Sequence, residues 1–190
     1  GNVLRKVRSY KVKIFSIITA FLIVSTAGNA QGTFKPADRV YNKSGDYVRG
    51  FFGGETPKKS SVWVTGKLRD SVEQIINGAD SIPLRYSYWR NEDRTTWVLD
   101  SIGHTWPITA GVVVENGKII DISVLVYRES RGHEIQNRLH RDQYYEAEIT
   151  KNNRLNKPIN GISGSTLSVN SLKRMARVAL LLHNEVTKEN

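Results

Sequence analysis

The sequence predicts an α+β fold: a single domain in which an antiparallel sheet packs against helices. Three observations predict it. Ile108–Glu115 and Lys118–Tyr127 are two apolar-rich runs joined by Asn116-Gly117, the dipeptide that suits a type I′ hairpin turn because both central residues need positive φ. Leu84–Trp89 and Thr95–Leu99 form a second pair of strand-like runs around the polar Arg90-Asn-Glu-Asp-Arg94. Val169, Leu172, Met175, Ala176, Ala179, Leu182 and Val186 then fall on one stripe of a C-terminal amphipathic helix, with Lys173, Arg174 and Arg177 elsewhere. In the second strand of the central hairpin, Ile120, Ile122, Val124 and Val126 are expected on one face and Asp121, Ser123 and Tyr127 on the other. One face of the sheet is then core, covered by helices, and the opposite face is more polar.

The other elements follow in chain order. Residues 38–50 suit a short helix, although Gly45, Gly50, Gly53, Gly54 and Pro57 make the neighbourhood irregular. Ser60–Thr65 reads as a short strand with Val62 and Val64 on one face. Leu68, Val72, Ile75 and Ile76 repeat at helical spacing over 67–77, and Asn77-Gly78 closes that helix. There is no internal repeat and no low-complexity tract.

The first thirty residues read as an address. Arg5, Lys6, Arg8, Lys11 and Lys13 precede the apolar run Ile14–Val24, which ends in the small, polar Ser25-Thr-Ala-Gly-Asn-Ala30. This is the order of a secretory leader, with Gly28 and Ala30 suited to the cleavage site. A retained membrane anchor is the alternative, and the apolar run falls short of the roughly 20 residues a spanning helix needs. Either fate exports the remainder, to the periplasm or the outer face of the inner membrane, and allows membrane association. The organisation expected is a leader or anchor over 1–30, an extension of the domain over 31–94 and the functional domain over 95–187.

Composition narrows the chemistry. The 190 residues contain no cysteine, which removes disulfides, thiolate metal sites, iron–sulfur clusters and cysteine nucleophiles. The formal charge is +10, but the leader holds five of the 28 basic residues and none of the 18 acidic ones, leaving a body of about +5. A charge of that size reads as a solvated surface, and nucleic acid is not expected as a partner. The histidines at 104, 133, 140 and 183 form no metal-binding pair at helical spacing, and His133-Glu134 reads as a surface helix start. Gly161-Ile-Ser-Gly-Ser165 lacks the final glycine of a hydrolase elbow, and no Gly-x-Gly-x-x-Gly follows a strand.

Chemistry concentrates in Asn160-Gly-Ile-Ser-Gly-Ser-Thr-Leu-Ser168, a Gly/Ser/Thr loop opening directly into the last helix. Backbone N–H groups at such a helix start welcome a phosphate. On residue types alone, the plainer reading, in which Thr166 or Ser168 simply caps the helix, is favoured.

Ser163-Gly-Ser-Thr166, followed by Leu167-Ser168, closely resembles the Ser-Gly-Ala-Thr flavinylation motif of the FMN-binding domain family. Asn160 and Ser165 replace the usual aspartate and alanine. Residues 106–135, through Pro107-Ile, Gly111-Val-Val-Val, Gly117-Lys-Ile and Val124-Leu-Val-Tyr-Arg-Glu-Ser-Arg-Gly132, resemble the family's central hairpin and its Glu-Ser/Thr-x-Gly segment. Asp142-Gln-Tyr144 stands where relatives carry a Gln-aromatic signature. The resemblance spans roughly residues 95–187 and implies FMN held covalently, as a phosphoester on Thr166. Ser163, Gly164, Ser165 and Leu167 would surround the attachment point. Glu129 and Ser130 would lie beside the flavin, with Gly132 allowing close backbone approach. It further implies an FAD-dependent, magnesium-requiring flavin transferase that makes the bond, and redox partner proteins at the membrane. The role implied is electron relay rather than independent catalysis. Trp97 and Trp106 suit core or edge packing, and the hairpin carrying Trp89 and Trp97 is expected as an accessory layer. The competing reading is a non-enzymatic binding module whose basic surface docks an acidic partner or anionic lipid headgroups.

Overall fold

The computed structural model describes residues 35–188, so the leader expected over 1–30 lies outside the described residues. Six strands form one sheet: β1 (Arg39–Val40), β2 (Ser60–Trp63), β3 (Arg85–Asn91), β4 (Arg94–Ile102), β5 (Pro107–Glu115) and β6 (Lys118–Tyr127). Their spatial order is β1-β6-β5-β4-β3-β2, with every neighbour antiparallel. The helices are α1 (Ser44–Gly50), α2 (Gly66–Ile76), the single turn α3 (Arg138–Arg141) and α4 (Thr166–Thr187). This is the α+β class read from the sequence.

Local chemistry explains the main elements. Asn116 and Gly117 both have positive φ, at 51° and 77°, as the two-residue turn between β5 and β6 requires. Asn77 closes α2 in the left-handed conformation, its N–H on the Glu73 carbonyl. The apolar stripe of α4 enters the core, with Leu172, Ala176, Ala179, Leu180 and Leu182 fully buried and Val186 half-buried at its edge. Each large side chain removed from water in this way contributes roughly 1.5–3 kcal/mol. The stripe lies over β4, β5 and β6, and α2 packs beside it.

Three expectations need correction. First, helices cover both faces. On the face away from α4, Tyr47 of α1 packs with Val113 and Leu125, and Phe51 lies edge-on to it. Gly111 makes this packing feasible, because a Cβ there would fall 2.1 Å from the Tyr47 ring.

Second, β6 does not alternate evenly. Register shifts oppose Thr109 to Val126 but Ala110 to Val124, and Val113 to Asp121 but Val114 to Ile119. Leu125 and Ile120 are the extra residues, and each bulge reverses the faces beyond it. Ile120 and Val126 therefore join the α1 side, whereas Tyr127 enters the main core with Ile122 and Val124. Asp121 and Ser123 stay on the polar side, where Tyr47 donates to Asp121 at 2.7 Å and Arg141 to Ser123 at 2.6 Å.

Third, the second hairpin is not an accessory layer. Trp97 is fully buried, stacked on Tyr88 with centroids 5.0 Å apart. Trp89 stays on the outside under Lys59.

The sheet is not evenly zipped. β3 pairs with β4 only from Tyr88↔Trp97 to Asn91↔Arg94, whereas β4 continues alongside β5 to Ile102. The strands fork beyond Trp97, leaving a cleft of about 890 Å³ bordered by Tyr86, Val98 and Leu99. Asp80 holds the inner end of the fork. It accepts from the Ile102 N–H at 2.5 Å and from the Ser101 hydroxyl at 2.6 Å, and it pairs with Arg174 of α4 at 3.3 Å.

Candidate functional site

The Gly/Ser/Thr loop enters α4 through a tight turn. Ser165 donates its backbone N–H to the Ile162 carbonyl at 2.9 Å, closing a four-residue turn with Gly164 at its third position. Gly164 has φ of 77°, and Ser163 is not among the residues with positive φ, the combination that defines a type II turn. Glycine is required there because a side chain resists that backbone conformation. Upstream, the Gln143 carboxamide accepts from the Asn160 N–H at 2.7 Å and fixes the start of the loop. Tyr144 beside it is fully buried, edge-on to His140.

The helix begins without a side-chain cap. Ser165 occupies the cap position, yet its hydroxyl makes no cap hydrogen bond. It donates instead to the Glu134 carboxylate at 2.9 Å. The Ser165 and His133 contacts, with a backbone hydrogen bond foremost, hold the Glu134 carboxyl below its ordinary range. The plain-cap alternative for Thr166 or Ser168 is therefore not what the helix adopts. The N–H groups of Thr166, Leu167 and Ser168 precede the first residue able to bond within the helix, Val169, whose N–H meets the Ser165 carbonyl at 2.9 Å. Those three donors and the helix dipole make an electropositive spot, and the first turn contains no acidic side chain to offset it. Thr166 is exposed on this spot, as are Ser163, Gly164 and Leu167.

A second segment is held against the same helix end. The Tyr127 hydroxyl donates to the Arg131 carbonyl and contacts the Ser168 hydroxyl at 2.9 Å, and burial raises its pKa to about 12. Gly132, with φ of 88°, lies against this pair: a Cβ would meet the Ser168 hydroxyl at 2.4 Å and the Tyr127 hydroxyl at 2.9 Å. Without a side chain, Gly132 leaves Ser168 and Tyr127 the space they occupy. This packing brings residues 127–132 beside the loop at 163–168.

Glu129 and Ser130 differ sharply within that segment. Ser130 is exposed. Glu129 is buried, and one carboxylate oxygen accepts from the backbone N–H groups of His104, Thr105 and Trp106 at 2.6, 2.6 and 2.7 Å. Its carboxylate is the centre around which the β4–β5 turn is built, and Gly103 leaves room for it. α4 braces the same corner, with Ser171 donating to the Ser101 carbonyl at 3.0 Å.

The structure therefore gathers the loop at 163–168 and the 127–132 segment around one end of α4, and it gives Glu129 a scaffolding position. Glu134 and Tyr127 escaped sequence reasoning as site residues. Glu134 is 31 residues from its partner Ser165, and nothing local marks it. Tyr127 was hidden by the bulge at Leu125.

The family model described as FMN-binding domain matches residues 103–181, which contain all of these groups. No curated protein and no solved structure matches the chain significantly.

Proposed function

We propose, from the premise that residues 103–181 of this chain are an FMN-binding domain and hence a flavin-binding redox module, that FMN is attached covalently through its phosphate to Thr166. The observation that carries this reading is the uncapped start of α4. An exposed threonine hydroxyl stands at the first helical position beside N–H groups with no acceptor, and the neighbouring serine hydroxyl is engaged by Glu134. A phosphate fits such a site on charge and on donor supply.

When bound, FMN supplies the redox chemistry; the protein supplies position and electrostatics. Thr166 is a modification acceptor and takes no part in turnover. Gly164 sets the direction of the loop, and Leu167 offers an exposed apolar side chain next to the attachment point. Ser130 and the turn held by Glu129 would lie beside the flavin. The attachment is made by an FAD-dependent flavin transferase. The hydroxyl of Thr166 takes the FMN phosphorus as the FAD pyrophosphate bond breaks and AMP leaves, with the hydroxyl proton released.

The leader over residues 1–30 delivers the domain to the periplasmic side of the inner membrane, where a covalent link prevents loss of the cofactor. There it relays electrons between membrane redox proteins and an extracytoplasmic acceptor. Intact mass after co-expression with a flavin transferase tests the attachment. The expected result is a gain of one FMN less water and a colour that survives denaturation, both lost in Thr166→Ala. Retention of covalent flavin by that variant defeats the assignment.

A further inference from the structure

A one-sided concentration of charge lies further along α4 from the attachment point, in a groove of about 550 Å³ between α2, the loop at 152–159 and α4. Arg154, Lys157, Lys173, Arg174 and Arg177 line it, and no aspartate or glutamate does. Of the neighbouring acids, Asp80 pairs with Arg174 at the edge of the groove, whereas Glu73 is engaged with Arg69 and Glu148 with Lys118. Among the described residues, Arg154, Lys157, Lys173 and Arg177 have no carboxylate within ion-pairing distance.

This crowding is unfavourable as it stands. Arg177 donates to the Ile75 carbonyl at 2.9 Å, but its buried Nε has no partner. Burial, followed by the charges of Arg154 and Arg174, depresses its pKa. Four like charges sharing one concave surface repel, and a bound polyanion would reverse the sign of that interaction.

The groove is also preformed. Asn153 donates to Gln74 of α2 at 2.7 Å, tying the loop to the opposite wall, and the loop is closed on itself by the Thr150 N–H on the Arg154 carbonyl at 2.7 Å. Asn77, Asn152 and Asn170 add carboxamides around the cations. Donors of this density in a concavity of this size suit a compact ligand with several acceptor oxygens rather than a flat protein face.

We propose that this groove binds a small polyvalent phosphate, up to mononucleotide size and carrying at least two negative charges. Its position gives it a bearing on Thr166. Asn170, Lys173 and Arg177 follow Thr166 by four, seven and eleven residues, which keeps all of them within about 40° of its direction and places them roughly 6–16 Å along the helix. The ligand therefore lies on the face of α4 that carries the modified threonine. One wall comes from α2, outside the matched residues 103–181, so the segment that precedes the match helps to build this second site.

Calorimetric titration of the full chain at low salt tests the proposal, with pyrophosphate and AMP as probes and citrate and poly-glutamate as controls. The expected result is one-to-one binding of at least one phosphate probe. It should weaken about tenfold or more in Arg154→Gln and in Lys173→Gln, and again as salt is raised. Both substituted side chains reach the surface, and an unchanged unfolding midpoint in each variant confirms that the fold is intact. Binding in Thr166→Ala should equal that of the parent, which separates this site from the flavin attachment. Failure of both phosphate probes at millimolar concentration overturns the proposal, as does affinity indifferent to the two substitutions. Citrate binding as tightly as pyrophosphate removes the phosphate assignment. Poly-glutamate binding without either phosphate makes the groove a protein-docking surface instead.

Discussion

The two ends of α4 solve opposite problems. At the C-terminal end, His183 is buried, its Nε2 accepting from the Gly117 N–H at 3.1 Å and its Nδ1 meeting the Thr95 hydroxyl at 2.8 Å. The Trp97 indole N–H reaches the same hydroxyl at 2.9 Å. The neutral imidazole with its proton on Nδ1 satisfies every partner, and the helix end is locked to two hairpins. At the N-terminal end, Thr166, Leu167 and their N–H groups face outward without acceptors. One end shows what full satisfaction of polar groups looks like in this fold; the other shows donors left free where a ligand is expected.

Breaking the satisfied end should have the largest effect. His183→Ala leaves the Gly117 N–H and the Thr95 hydroxyl short of a partner and opens a cavity, a loss of about 3 kcal/mol or more by urea unfolding. The same end gives the fold a pH dependence. Burial foremost, then Arg90, lowers the His183 pKa from 6.5 to about 4. Between those values the unfolded chain binds more protons than the folded one. The His183 contribution should therefore be constant above pH 6.5 and fall by on the order of 3 kcal/mol toward pH 4. His140, held low by burial and Lys173, adds to the slope. His183→Gln should remove most of that slope while lowering stability at neutral pH.

At the open end the effects are smaller in stability and larger in loading. Gly132→Ala forces an alanine into positive φ and onto the Ser168 hydroxyl, costing about 2–3 kcal/mol and lowering covalent flavin per protein, read by denaturation and visible absorbance. Ser165→Ala should cost under about 1 kcal/mol, because its hydroxyl does not cap the helix and its Glu134 partner is exposed. A cost of about 2 kcal/mol would instead mean that the hydroxyl acts as a cap.

The elements whose signals are local were legible in the sequence. Asn116-Gly117 dictated a turn, Asn77-Gly78 a helix stop and the α4 stripe a buried face, and all three stand as expected. What failed depended on partners distant in the chain. An even alternation along β6 missed the bulge at Leu125 that turns Tyr127 inward and the one at Ile120, since a bulge is set by the register of the neighbouring strand. Tyr47 filling the space above Gly111 could not be inferred from either residue alone. In the site, the Gly/Ser/Thr loop announced itself by composition. The engagement of Glu129 with three backbone N–H groups did not, because a surface carboxylate and a buried turn anchor look alike in one dimension.

The fork beyond Trp97 has a consequence for how the molecule breathes. The β2–β3 pair is joined to the rest of the sheet only between Tyr88 and Asn91, and the Val98 and Asp100 stretch of β4 has no strand beside it in the cleft. In hydrogen–deuterium exchange, amides of residues 60–63 and 85–87 should exchange together as one cooperative unit, ahead of β5 and the middle of β6. The sheet would then open from its β2 side inward, leaving the three strands under α4 as the last part of the fold to yield.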